Sequence, residues 1–96
     1  MPVQHYPDMT PGISSISEAE QEAVKLAVSR LGVSSEDVRI ISSEEAMWPD
    51  TSLGMPEQGI IYAQMLVEGY RVKLSINDRI LEIHFGNGLA RMRIRD

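Results

Sequence analysis

The 96 residues include no cysteine. That excludes a disulfide framework and a thiolate metal site. The two histidines, His5 and His84, are too few for a ligand cluster, so neither a metal nor a cofactor is expected. No apolar run approaches the length of a membrane span. The opening stretch MPVQHYPDMTPG lacks the basic and apolar regions of a signal peptide, which points to the cytoplasm. A positive balance is missing as well. The net charge of −5 argues against nucleic acid as a partner. Catalytic signatures are absent too: no G-x-S-x-G, no H-E-x-x-H and no phosphate-cradling glycine loop. Gly86-Asn87-Gly88 reads as a hairpin turn instead. The expectation is a protein that is not an enzyme.

What is present suits one soluble domain with one hydrophobic core. Hydrophobic residues make up 43% and charged residues 24%, both ordinary values. The charge is uneven. Residues 1–58 hold ten acids and three bases, whereas residues 59–96 hold four acids and six bases.

Residues 1–14 carry Pro2, Pro7, Pro11 and Gly12 without periodicity and read as an irregular arm. Residues 15–96 read as a single α+β domain. A helix is expected over roughly 17–31, opened by a capping box of Ser17 with Glu20 or of Ser15 with Glu18. Its apolar stripe is Ala23, Val24, Ala27, Val28 and Leu31, widened by Ala19 and Leu26. Gly32 fits a left-handed C-cap. Val38–Met47 reads as a strand of broken parity, which a bulge near Ser42-Ser43 would reconcile. Its place in the sheet is open.

Three two-residue turns are then predicted: Glu68-Gly69, Asn77-Asp78 and Asn87-Gly88. They define an antiparallel meander of 60–67, 70–76, 80–86 and 89–95. In that register Tyr70, Val72 and Leu74 meet Phe85, Ile83 and Leu81, and those meet Ala90, Met92 and Ile94. The other face gathers Arg71, Lys73, Glu82, His84, Arg91, Arg93 and Arg95 and is expected to face water. The expected whole is one N-terminal helix on a four- to five-stranded antiparallel sheet.

Residues 48–59, WPDTSLGMPEQG, cannot continue a strand. Two prolines remove donors, and two glycines free the backbone. Such long connections are usually functional. Asp50, Thr51 and Ser52 fit an Asx-type turn after Pro49. Trp48 fits an anchor, and Leu53 and Met55 could be presented from a stiffened loop or tucked into the core. The leading expectation is a non-enzymatic binding module that meets a protein partner through Trp48, Asp50, Ser52, Leu53 and Met55. An inhibitor-like version would insert Leu53 or Met55 into a pocket. A second is an anion- or small-molecule-binding face of Arg71, His84, Arg91 and Arg93. A third, an acid–base site of His84 with Asp50, requires the loop to fold over the sheet.

The strings WPDTSLGMPEQGIIYAQ, GYRVKL and Leu81-Glu82-Ile83-His84 resemble a family of small, uncharacterised bacterial domains. Its pattern is W-P-D-x-S-L-G-C-P-x-P-G-x-x-Y, then G-Y-x-I-x-L, then Y-E-Y-H. The likeness spans about residues 19–88. Met55 stands where the family usually has cysteine, Gln58 replaces a proline, and a cysteine near the C-terminus is missing. Members are often secreted or lipid-anchored, and this chain shows no export signal. The resemblance supports the fold and marks the loop, and implies no activity.

Overall fold

Asn77 and Asn87 both adopt positive φ, 55° and 54°, at the heads of two tight turns. Asparagine tolerates that region because its short amide bonds locally. The turns join three strands: β3 (Val67–Ile76), β4 (Arg79–Gly86) and β5 (Leu89–Arg95). The register is the expected one. Tyr70, Val72 and Leu74 lie opposite Phe85, Ile83 and Leu81, which lie opposite Ala90, Met92 and Ile94.

The computed structural model describes residues 8–95. His5 and Tyr6 of the arm lie outside them. Before β3 come β1 (Asp8–Met9), the helix α1 (Ile16–Leu31) and β2 (Val38–Trp48). All strands pair antiparallel, in the order β1-β5-β4-β3-β2. The arm is therefore not wholly irregular. Asp8 and Met9 pair with Ala90 and Leu89, and Asp8 also meets Arg30 of α1.

One predicted strand is absent. Residues 60–66 belong to no strand, and Glu68-Gly69 is not a turn but lies inside β3. The partner beside β3 is β2, with Val38 opposite Ile76 and Trp48 opposite Val67. The glycine at 69 serves space, not reversal. A Cβ there would lie 1.7 Å from the Phe85 carbonyl oxygen and 2.9 Å from Trp48 Nε1. Such a close approach is a regular use of glycine within a strand. Gly69→Ala is accordingly expected to cost about 1–3 kcal/mol or more through overpacking. Gly12→Ala, with nothing within 4 Å of its added carbon, should stay within about 0.5 kcal/mol. Urea midpoints compare the two.

The broken parity of β2 has a physical origin. Ile40 faces Leu74 and Ser42 faces Lys73, leaving Ile41 as an extra residue. That bulge, one position before the predicted site, switches the faces. Val38 packs against the helix-side core, whereas Ala46 and Trp48 pack on the opposite side.

Of the two capping schemes, α1 uses Ser15, which accepts from the Glu18 amide at 3.1 Å. Gly32 closes it at φ 67°, its N–H donating to the Val28 carbonyl. The buried stripe is Ala19, Ala23, Leu26 and Ala27. Three alanines let the helix lie close on Val72, Leu74, Ile83 and Phe85, all 0–1% exposed. Leu31, expected in the stripe, is 38% exposed.

Candidate functional site

Strand periodicity puts Gly69 and Arg71 of β3 on the face away from the helix, with Glu82, His84 and Gly86 of β4 beside them. That face does not lie open to water. The connection 49–66 folds back over part of it, and Trp48 begins the cover. Its indole lies over Gly69 and Gly86, where a Cβ would come within 2.9 and 3.2 Å of the ring. Its Nε1–H donates to the Phe85 carbonyl at 2.9 Å. Its ring stacks on His84, centroids 4.4 Å apart and planes at 19°. The Arg71 guanidinium sits 5.3 Å from the ring centroid, a cation–π contact, and bonds Glu44 at 2.8 Å.

The loop then turns as its residues dictate. The Asp50 carboxylate accepts from the Ser52 amide at 2.9 Å and the Ser52 hydroxyl at 2.5 Å, the predicted Asx turn. Those two bonds hold the Asp50 carboxyl below the usual range, and Arg91 adds to the effect. Leu53 follows at φ 56°, a region that L side chains rarely adopt. Two features hold it there. Its side chain is fully buried against Trp48 and Val67, and its carbonyl oxygen lies 2.6 Å from His84 Nδ1.

His84 is thus no surface residue; it is 2% exposed. Its Nε2 lies 2.6 Å from Glu82 Oε2. A peptide carbonyl only accepts, so Nδ1 carries the hydrogen that it donates to Leu53. Nε2 donates to Glu82 when the pair holds a second proton, and the two groups titrate as one unit. Burial pushes His84 down in pKa, against the pull of the Leu53 carbonyl and Glu82. Burial pushes Glu82 up, but His84, Arg95 and Arg93 outweigh it and leave the carboxyl below its ordinary value. Arg93 and Arg95 donate to the Glu82 carboxylate at 3.1 and 3.2 Å.

The predicted residues therefore divide. Trp48, Leu53, Arg71 and His84 come together in one cluster. Asp50 makes its hydrogen bonds to Ser52 and none to His84. Met55 is half-buried, with its amide on the Ser52 carbonyl. Arg91 stacks on Tyr62 at 5.1 Å, and Arg93 serves Glu82. Glu82 and Arg95 were expected on this face, but not Glu82 as the partner of a buried histidine nor Arg95 as a donor to that carboxylate. The available signal was the i, i+2 spacing of Glu82 and His84 on one strand face. Both ring nitrogens of His84 are engaged, and the Ser52 hydroxyl donates to Asp50, so the cluster fastens the loop to the sheet. No group of three or more metal-capable side chains occurs among the described residues. Nor is any helix there long and apolar enough to cross a membrane.

The outer half of the loop differs. Thr51 and Ala63 tie it across, through the Thr51 amide to the Ala63 carbonyl and the Ala63 amide to the Thr51 hydroxyl. The Tyr62 hydroxyl accepts from the Glu57 amide at 3.0 Å. Beyond these ties, Ile61 is 97% exposed and Leu66 72%, with Ile60 and Met65 about half exposed.

No curated protein and no solved structure matches the chain. A family profile does match, over residues 20–93, a span that takes in most of the helix, β2 to β4 and the whole loop. The chain belongs to the family described as Domain of unknown function (DUF8738).

Proposed function

We propose that the protein is a non-enzymatic binding module and that its contact surface is the outer half of the 49–66 loop. The observation that carries this is the exposure of Ile61, Leu66, Ile60 and Met65 on a segment fastened at both ends. Scattered apolar residues on a surface are normal, but contiguous ones mark interaction sites. Fastening lowers the ordering cost of binding. Trp48, Asp50, Ser52 and Leu53 act in this reading as the foundation, not as the contact. Leu53 is unsuited to insertion in a partner's pocket, since its side chain is buried in its own domain.

The basic sheet face has less support as an anion site. Arg71 is engaged by Glu44 and Trp48, Arg91 by Tyr62, and Arg93 and Arg95 by Glu82.

A photo-crosslinking amino acid in place of Ile61 or Leu66 tests the reading. Irradiation in the native host should give a discrete adduct with another polypeptide. The same residue at Gln21, exposed on α1, should give none. Indistinguishable patterns from the three positions would overturn the assignment.

A further inference from the structure

Among the described residues, the strand order leaves β2 at an edge, with no strand paired to one side of its backbone. Its 11 residues contain no lysine and no proline, the residues that commonly blunt such edges. The bulge at Ile41 interrupts only the first half, and Ser42–Trp48 pairs regularly with β3. Beside this regular half lies an open cleft of about 660 Å³. Its lining includes Ile13, just before α1, and Glu45, Met47, Glu68 and Tyr70. Met47 is 55% exposed, and Glu45 and Glu68 form no ion pair among the described residues.

We propose that this edge and cleft bind an extended peptide of a partner protein, added as a sixth strand beside β2, with a basic and a large apolar side chain two residues apart. The spacing follows from strand geometry. Glu45 and Met47 are two residues apart and so share one face, and an added strand presents side chains with the same period. The base would meet Glu45 and Glu68, and the apolar side chain would enter the cleft over Met47 and Tyr70. Charge selects such a partner over a second copy, because a copy would bring its own Glu44 and Glu45 to the same edge. The inference rests on the binding-module reading and adds the partner's chemistry to it.

Fluorescence anisotropy with labelled octapeptides decides the matter. The peptides are Thr/Ser chains carrying Arg and Leu two residues apart, Glu and Leu at the same places, or Arg and Ser. The Arg–Leu peptide should bind best, and more weakly as salt rises. The double substitution Glu45→Gln, Glu68→Gln should lower its affinity about three- to tenfold, as two exposed ion pairs allow. Equal binding of the Glu–Leu peptide, or an unchanged affinity in the double variant, would overturn the proposal. So would a stable dimer in sedimentation that binds no peptide, since it gives the edge to a second copy. If the peptides fail while position 61 still crosslinks to a partner, only this inference falls. If both fail, the binding-module reading falls with it.

Discussion

Trp48→Ala is expected to remove about 3–5 kcal/mol of stability, the usual cost of deleting a large buried aromatic. A domain of this size has about 5–15 kcal/mol in all, so the loss is a large share. Three losses combine. The indole leaves a cavity over Gly69 and Gly86, which have no side chains to fill it. The stack on His84 and the bond to the Phe85 carbonyl both go. Leu53 loses its main neighbour, and with it part of the burial that offsets its unusual backbone. Trp48→Phe keeps a ring and forfeits the N–H, so its cost should be intermediate. Denaturant titration gives the magnitudes. Hydrogen exchange gives the location: protection of the Ala63 and Thr51 amides should fall much more than that of Ile83 in β4. A uniform loss of protection would mean that the loop and the helix-side core unfold together, against the two-core description.

That separation explains which parts of the architecture were legible in the residues. The β3–β5 register follows from local chemistry, since Asn77-Asp78 and Asn87-Gly88 are true turns and each pairs apolar residues on one face. Glu68-Gly69 also sets a polar residue beside a glycine, but for a different cause. Gly69 is there for the Phe85 carbonyl and the indole, and nothing within a few residues of it signals that need. As a turn it would make 60–66 a strand and leave β2 without a place beside β3. The site was legible in part. Periodicity puts Glu82 and His84 on one face, and Pro49-Asp50 with Ser52 announces the Asx turn. That the loop would bend back and bury His84 depends on the Leu53 carbonyl meeting His84, a contact between distant segments that no local pattern encodes.

Glu82→Leu is expected to be the other severe substitution, at about 3–5 kcal/mol, because it breaks a buried pair from one side. Arg93 and Arg95 are half exposed and can return to water, so the cost falls on His84, which is left buried with an unpaired nitrogen. His84→Leu alone should also be costly, since it leaves the Leu53 carbonyl without its donor and the carboxylate with Arg93 and Arg95 only. Together the two changes should cost less than the sum of each, with a coupling of about 1–3 kcal/mol. Additive losses would contradict a direct interaction between the two side chains. Acid gives a second check, with a definite sign. The Glu82 carboxyl titrates lower in the folded protein than in the unfolded chain, where it lies near about 4.3. Its contribution is therefore present above that value and is lost as the pH falls through the lower, folded one. The gap between wild type and Glu82→Gln should accordingly narrow as the solution is taken well below pH 4. Because the pair holds Leu53, the same variants should loosen the loop before the sheet. The exposed side chains at 61 and 66 would then lose the rigid base that makes them a contact surface.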